Sequence, residues 1–390
     1  MNHAKSICLS LLLLLSLSSH AQTSDSLHHL YSEILSEERS FVVQLPDSYE
    51  DEAFYANKHY PVAILLDGER LFPLTASLVQ SLSGPSVEQI PEMIVVGVYN
   101  THRNRDFLPT TSLYSSSGER LDQLAESGGA EAFHRFLSEE LLPYLDSTYR
   151  TAPYRLLIGH SFAGLYTAYE MQQFDSFQAL LAIDPSLWWD EAWLIEQLEQ
   201  KSPTKTKRFY HAQANNPFDP GVARSASGIA QQSFRHLLDS LPKVRYQYQF
   251  FENEDHFSVP TPALLAGLKS LFSDYQIPLE TLMDQDSLAI ENYYHQISEE
   301  MGITIHPPGR LFNQIGMFLL SDSSRQEQAL MLLRINQVHY PTSYLPWQSL
   351  GMAYERLRRT PEAIECYQQV LRLQPDNAYA LAGVERLAEP

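Results

Sequence analysis

The sequence of 390 residues contains only two cysteines, Cys8 and Cys366. Two cysteines cannot form a network of disulfides, and they are too few for a zinc site built from cysteine ligands. The sequence therefore predicts a fold that is held together by packing. We expect neither a metal ion nor a cofactor.

Basic residues are scarce as well. The chain has 27 Lys and Arg against 47 Asp and Glu, which gives a formal net charge of −20 at pH 7. Because such a surface repels phosphate backbones, the composition argues against nucleic acid as a partner. Apolar residues make up 44% of the chain, which is enough for a large core and for two or more domains.

Long hydrophobic runs are also absent. The apolar run Ile7–Leu17 follows Lys5 and is too short to span a bilayer. Small and polar residues come next and end at Ala21. This pattern predicts a signal peptide over residues 1–21 and export to the periplasm or the medium. We expect no membrane-spanning helix in the rest of the chain.

Short apolar runs alternate with helix-like segments between residues 22 and 278. The strand-like runs are Phe41–Leu45, Val62–Leu66, Met93–Tyr99, Arg155–Ile158, Ala179–Ile183, Arg208–Gln213 and Arg245–Phe251. Their alternation predicts an α/β domain with a mostly parallel sheet covered on both faces. The strand pattern then ends, and residues 279–390 are predicted to be entirely helical.

The helical part contains an internal repeat. The signature W-x2-L-G-x2-Y of a tetratricopeptide repeat is carried by Trp347, Leu350, Gly351 and Tyr354. Ala329 precedes Ala363 by 34 residues, which is the period of that repeat. We predict a helical linker, two repeats at about 309–342 and 343–376, and a final helix. So short an array forms a groove for a protein partner, a self-association contact, or a buttress for the sheet domain.

A candidate nucleophile lies in the run Gly159-His160-Ser161-Phe162-Ala163-Gly164. A predicted strand precedes this run and a predicted helix follows it, which is the context in which a G-x-S-x-G elbow exposes its serine. The fifth position is Ala163 where the pattern has glycine. The alternative is an ordinary turn between a strand and a helix.

A serine nucleophile needs a base and an acid, which follow it in this order in α/β-hydrolases. His256 lies in the loop after the last predicted strand and is the candidate base. Asp219 is the first choice for the acid, because it follows the strand before that one. Asp184 is the second choice, and Glu254 or Asp255 beside the histidine is another. A Ser–His pair with only a polar orienting group also remains open.

Two backbone N–H groups are expected to form the oxyanion hole. One is that of Phe162, directly after the nucleophile. The other is assigned to Glu69, in the loop after the Val62–Leu66 strand, where Gly68 allows a close approach of the backbone.

Five segments together resemble the esterase D-like branch of the α/β-hydrolases, which includes enterobactin-type siderophore esterases and S-formylglutathione hydrolases. The segments are Leu66–Gly68, Asn104–Thr110, Gly159–Gly164, Asp184–Trp189 and Glu254–His256. The resemblance covers roughly residues 36–276, and the C-terminal third resembles the repeat extension of some exported members. It implies Ser161 as nucleophile, His256 as base and an acid after the Arg208–Gln213 strand.

Several further residues are expected to line the substrate pocket. They are Gly68, Arg105, Asp106, His160, Trp188 and Trp189. The alternative for the last two and for the Arg105–Asp106 pair is core packing and bracing of a loop.

The function expected from these patterns is that of an exported serine carboxylesterase, which acts on a small-molecule ester or thioester through an acyl-enzyme on Ser161, with His256 as general base. An acyltransferase of the same fold is one alternative. A catalytically weak binding or scaffold protein that acts through its repeats is the other.

Overall fold

The computed structural model describes residues 27–84, 87–215, 226–283 and 287–388. The predicted signal peptide lies outside these residues. Among the helices that are described, none has the length and the apolar character needed to cross a membrane.

A sheet of eight strands organises the first part of the chain. The strands are β1 (Leu27–Ser32), β2 (Glu37–Gln44), β3 (Tyr60–Leu65), β4 (Ile94–Val98), β5 (Thr151–His160), β6 (Ala179–Ile183), β7 (Lys207–Ala214) and β8 (Val244–Phe251). Their order across the sheet is β1-β2-β4-β3-β5-β6-β7-β8. β2 pairs antiparallel with β1 and β4, and every other pairing is parallel. The predicted fold class is confirmed, although β1 lies outside the predicted strand runs.

Helices cover the sheet and form the whole C-terminal part. They are α1 (Glu52–Tyr55), α2 (Gly68–Ser83), α3 (Arg103–Phe107), α4 (Ala130–Arg135), α5 (Leu142–Thr148), α6 (Phe162–Gln173), α7 (Trp189–Gln200), α8 (Ala226–Ser240), α9 (Pro260–Leu271), α10 (Leu279–Met283), α11 (Ser287–Met301), α12 (Gly309–Leu319), α13 (Gln326–His339), α14 (Tyr344–Arg356), α15 (Thr360–Leu373) and α16 (Ala378–Ala388). A π-helical segment, Phe136–Leu141, joins α4 to α5. In the described chain no strand follows β8, which agrees with the predicted all-α tail. The domain boundary at residue 278 stays a prediction.

Alternate side chains of β3 pack on opposite faces of the sheet. Val62 and Ile64 belong to one apolar cluster, together with Phe133 of α4. Ala63 and Leu65 belong to a second cluster, together with residues of α2 and α9. Because both faces are covered, the whole strand is buried, and this explains the unbroken apolar run in its sequence. The two layers hold the carboxyl ends of the parallel strands in fixed positions.

Consecutive helices of the tail pack closely around a third apolar cluster. A Cβ added to Gly316 of α12 would lie 2.7 Å from the side chain of Leu333 in α13. A Cβ on Gly351 of α14 would lie 2.8 Å from Tyr367 in α15. Each glycine therefore lets the two helices of one repeat approach each other, as the repeat signature predicts.

The tail docks at the amino ends of the parallel strands. Arg208 and Arg245 are the second residues of β7 and β8, and both pair with Glu300 of α11, at 3.3 Å and 2.8 Å. Nε of Arg310 in α12 donates a hydrogen bond of 2.9 Å to Asp51, ahead of α1. The predicted site residues follow the carboxyl ends of the strands, at the opposite edge of the sheet.

Candidate active site

Ser161 lies in a sharp turn between β5 and α6. Its backbone has φ 64° and ψ −120°, a conformation that side-chain-bearing residues rarely adopt outside functional sites. A Cβ at Gly159 would lie 2.1 Å from the carbonyl oxygen of Ala163, so the turn requires glycine there. The N–H of Ser161 donates a hydrogen bond of 3.0 Å to the carbonyl of Ile183 in β6. These contacts hold the hydroxyl at the end of the sheet.

His256 lies between Ser161 and Asp184. Its Nε2 is 3.0 Å from Oγ of Ser161, and its Nδ1 is 2.6 Å from Oδ2 of Asp184. A carboxylate only accepts hydrogen bonds, so Nδ1 carries the proton of the neutral ring and Nε2 is free to accept one from the serine. Ser161, His256 and Asp184 thus form a continuous hydrogen-bonded chain.

Asp184, the second choice for the acid, is the carboxylate in contact with His256. Its own N–H donates to the carbonyl of Ala212 at 2.7 Å, and its Oδ1 accepts from the N–H of Ala214 at 3.1 Å. The carboxylate of Asp184 therefore lies over the end of β7, although the residue itself follows β6. The first choice, Asp219, is outside the described residues. Of the candidate acids that the structure describes, Asp184 is the one in contact with the ring of His256.

The acids beside the histidine have other contacts. Asp255 accepts hydrogen bonds from the N–H groups of Ser258 and Phe257, at 2.9 Å and 2.8 Å. These bonds lower the pKa of its carboxyl group. The backbone carbonyl of Glu254 accepts the N–H of Asn215 at 2.9 Å. Both residues shape the loop that carries His256.

Two helices begin beside Ser161. Phe162 is the first residue of α6, and Glu69 is the second residue of α2. The first N–H groups of a helix have no acceptor within the helix and favour negative charge. A Cβ on Gly68 would lie 2.6 Å from the backbone of Gly97, so the start of α2 requires this glycine to pack against β4.

These residues surround a cleft of about 360 Å³. Its lining consists of Asp67, Glu69, Arg70, Asn100, Arg103, His160, Ser161, His256 and Phe257. Asn100, Arg70 and Arg103 were not among the predicted pocket residues. Arg70 and Arg103 come soon after β3 and β4, and a search for charged residues after strand ends would have found them.

The two arginines of the cleft each contact another residue of its lining. Arg103 donates two hydrogen bonds to the carboxylate of Asp67, at 2.7 Å and 2.8 Å. Arg70 donates to Nδ1 of His160 at 2.7 Å. His160 is one of the predicted pocket residues, and its Nε2 contacts the backbone carbonyl of His256 at 2.7 Å.

The predicted pocket residues Arg105 and Asp106 lie outside the lining of the cleft. Asp106 is fully buried and accepts hydrogen bonds from Arg39 at 2.6 Å and from Arg105 at 2.8 Å. Arg105 also pairs with Glu37 of β2 at 2.7 Å. The pair braces a loop against β2, which corrects the expectation of a role in the pocket.

The two tryptophans pack beside the cleft without lining it. Trp189 is 1% exposed, and its Nε1 donates a hydrogen bond of 2.9 Å to Thr110. Trp188 is half-buried, with its ring 6.0 Å from that of Phe162. Their contacts agree with the core-packing alternative, and they support the start of α6 from behind.

Comparison with known proteins places this site in a family. The model of the family described as "Putative esterase" matches residues 32–265, and that of the tetratricopeptide repeat matches residues 345–377. The chain is 27% identical over 226 residues to the ferri-bacillibactin esterase BesA of Bacillus subtilis, which covers 51% of this chain and 74% of that protein.

Solved structures agree with this result. An IroE-like serine hydrolase from Shewanella oneidensis is 32% identical, with a TM-score of 0.70, over 80% of this chain and 99% of that one. An uncharacterised protein from Capnocytophaga ochracea shares the fold over 93% of this chain and 99% of its own, with 18% identity and a TM-score of 0.60. Since the family model covers more than half of the 390 residues, the chain belongs to this esterase family and is an ester-hydrolysing enzyme with a C-terminal tetratricopeptide repeat.

Proposed function

We propose that this enzyme cleaves its ester through an acyl-enzyme on Ser161, with His256 as general base and Asp184 as the orienting acid. The observation that carries the proposal is the hydrogen-bonded chain of these three side chains, with distances of 3.0 Å and 2.6 Å. Ser161 directly precedes α6 and shares the cleft with Glu69 at the start of α2, and the first N–H groups of both helices can stabilise an anion.

In the first half-reaction, Oγ of Ser161 attacks the ester carbonyl carbon while Nε2 of His256 takes the hydroxyl proton. The negative charge that develops on the carbonyl oxygen is stabilised by the N–H groups of Phe162 and Glu69. The C–O bond to the alcohol then breaks, and the alcohol leaves with the proton from His256. The acyl group remains on Oγ.

In the second half-reaction, water takes the place of the alcohol. His256 removes a proton from the water as it attacks the acyl carbon, and it returns that proton to Oγ of Ser161 when the acid product leaves. Asp184 keeps the ring in the tautomer with its proton on Nδ1 and stabilises the imidazolium formed in each half. Protons and electrons balance without a metal or a cofactor.

Substitution of the nucleophile tests this mechanism. Ser161→Ala should lose nearly all turnover of p-nitrophenyl butyrate and all labelling by a fluorophosphonate. Ser273→Ala, an exposed serine after α9, is the matched control and should keep both. Full activity in Ser161→Ala would refute the acyl-enzyme.

We further propose that the natural substrate is a siderophore ester. Support comes from the name of one relative, the ferri-bacillibactin esterase BesA, and from Arg70 of the cleft. Arg103 is paired with Asp67, whereas the contact of Arg70 is the neutral ring of His160. Among the described residues no carboxylate forms an ion pair with Arg70, although Asp67 and Glu69 line the same cleft, so Arg70 offers a cation to the anionic iron-binding groups of a siderophore.

A panel of substrates tests the proposal that the natural substrate is a siderophore ester. Bacillibactin, iron-free and ferric, is compared with an acetylated sugar, S-formylglutathione and p-nitrophenyl butyrate, with kcat/KM as the measure. We expect a siderophore lactone to exceed the small esters. A preference for the sugar or the thioester would overturn the siderophore assignment and leave the mechanism intact.

Two parts of the chain outside the cleft also have a proposed role: the first 21 residues and the C-terminal repeats. We propose that residues 1–21 direct export and are removed after Ala21, and that the repeats bind a protein partner or a second copy of the chain. The mass of the mature N-terminus tests the first statement, because a retained leader contradicts it. Light scattering of the purified enzyme, with and without the tail, separates self-association from a monomer that awaits another partner.

A further inference from the structure

His160 has both ring nitrogens bonded and is 2% exposed. It is the residue before Ser161, at the end of β5. Nδ1 of His160 is 2.7 Å from Nη2 of Arg70 in α2, and Nε2 is 2.7 Å from the backbone carbonyl oxygen of His256. The two imidazole rings lie 4.6 Å apart. One side chain therefore connects the serine turn, the start of α2 and the loop of the base.

The partners of His160 determine where its proton is. A guanidinium only donates hydrogen bonds, so Nδ1 must accept from Arg70. The neutral ring then carries its proton on Nε2, which donates to the carbonyl of His256. Burial, together with the charges of His256 and Arg70, lowers the pKa of His160 to about 3. The ring therefore stays neutral throughout the range in which an esterase works.

Hydrogen bonds of Glu254 and Asp255 shape the loop of His256, and the bond from His160 holds the carbonyl of His256. His256 is 29% exposed and is followed by Phe257, which is 79% exposed. Its imidazole contacts Asp184 and Ser161, but rotation of the backbone would move the ring as a whole. The hydrogen bond from His160 fixes the carbonyl of His256 itself, on the side of the serine turn.

We infer that His160 is a positioning residue, which holds the backbone of His256 at the distance from Ser161 that proton transfer requires, with Arg70 fixing its tautomer. This role rests on the proposed function. His160 acts through His256 and does not touch the reacting atoms. Its loss should lower kcat while KM stays near the parent value, because binding of the ester does not depend on the alignment of the base.

Two substitutions distinguish the roles of the two ring nitrogens of His160. In His160→Gln the amide N–H group takes the place of Nε2 and can still donate to the carbonyl of His256. In His160→Asn the shorter amide can accept from Arg70 in the place of Nδ1 and leaves the carbonyl of His256 without its donor. We expect His160→Asn to lose about 10- to 100-fold in kcat, as a small misplacement of a catalytic group does, and His160→Gln to recover most of it.

The rate of phosphonylation of Ser161 by a fluorophosphonate gives a second measure of alignment, and it should fall in the same order. His295→Gln, an exposed histidine of α11, controls for the change of residue type. Melting temperatures identify a variant that fails to fold. Arg70→Gln, on the surface of the cleft, then provides the second test.

If Arg70 acts through His160, its substitution should lower kcat in the parent and have no further effect on kcat in His160→Asn. Equal kcat in the Asn and Gln variants, a loss confined to KM, or additive effects of the two sites would overturn the positioning role. Ser161→Ala is assayed in parallel. Activity in that variant would refute the proposed function, whereas an inactive Ser161→Ala beside a fully active His160→Asn would refute only the role of His160.

Discussion

Asp184 contacts His256 across a neighbouring strand. The carboxylate oxygen and Nδ1 are 2.6 Å apart, although Asp184 follows β6 and His256 follows β8, with β7 between them. Hydrogen bonds from Asp184 to Ala212 and from Ala214 to Asp184 bridge the gap, because they place the carboxylate above the end of β7.

Asp184→Asn should therefore keep the fold and lower kcat by about ten-thousand-fold, as loss of an orienting carboxylate does in other triads. Asparagine preserves the shape of the side chain but favours the wrong tautomer of His256. The measurement is steady-state hydrolysis of p-nitrophenyl butyrate. Asp219→Asn is the matched control and should stay within about threefold of the parent; the opposite pattern would restore Asp219 as the acid.

Gly159→Ala should disrupt the serine turn. The added Cβ would lie 2.1 Å from the carbonyl oxygen of Ala163, which is backbone and cannot move aside. We expect a loss of about 1–3 kcal/mol in the free energy of unfolding, measured with urea, and a large loss of kcat. Gly84→Ala is the control, because its φ of −59° suits alanine and an added Cβ would lie 3.4 Å from its nearest neighbour. A stable, active Gly159→Ala would show that the turn relaxes.

His211 should make the fold sensitive to acid. It is fully buried between Tyr246 and Gln231, at 2.9 Å and 2.6 Å, and burial lowers its pKa to about 4. The unfolded chain, with a histidine pKa of about 6.5, binds the proton at a higher pH than the native state does. The contribution of neutral His211 to the free energy of unfolding is therefore present above about pH 6.5 and is lost as the pH falls. Between pH 7 and pH 5 this loss amounts to about 2 kcal/mol.

Urea unfolding of the parent and of His211→Gln at both pH values measures this contribution. The variant should lose less stability on acidification than the parent does. His295→Gln changes an exposed histidine and should behave like the parent. An identical pH dependence in the parent and in His211→Gln would contradict the expected shift.

Tyr340→Ala should loosen the tail and leave the esterase intact. Tyr340 packs edge-on against Phe54 and Tyr55, with ring centroids 5.9 Å and 5.7 Å apart, and its hydroxyl donates to the carbonyl of Pro307 at 2.7 Å. Removal of the ring should weaken the docking of the tail on the sheet domain by about 3 kcal/mol in free energy, and proteolysis of the tail should become faster. Esterase activity should be retained, because the docking contacts lie at the amino ends of the strands.

Limited proteolysis with mass detection, beside an activity assay, measures both effects. Tyr379→Ala, which removes a ring that is 43% exposed on α16, should change neither. If the loss of Tyr340 abolished turnover, the two parts would be coupled more tightly than their contacts indicate.

Local patterns were sufficient to select Ser161 and His256, whose side chains the structure brings to 3.0 Å from each other. The serine lies where an apolar strand passes through small residues into a helix, and the histidine lies in the loop after the last strand. Both signals are contained in a few consecutive residues. The sheet, the tail and its glycine contacts follow from periodicity in the same way.

The remaining parts of the site depend on contacts between distant segments. Hydrogen bonds between the residues after β6 and the end of β7 hold the carboxylate of Asp184 in place. Because they join two strands, no local sequence pattern predicts them. The sequence around Arg105 and Asp106 is typical of pocket residues, but in the structure Asp106 pairs with Arg39 and Arg105 pairs with Glu37 of β2. Arg70 and Arg103 carry a usable signal, since each follows a strand end, but their orientation toward Ser161 depends on the starts of α2 and α3.

The tail contacts the sheet domain at the amino ends of the parallel strands, and the cleft lies at their carboxyl ends. The proposed partner of the repeats would therefore lie on the side of the sheet opposite Ser161. Substrate could then reach the cleft while that partner is bound.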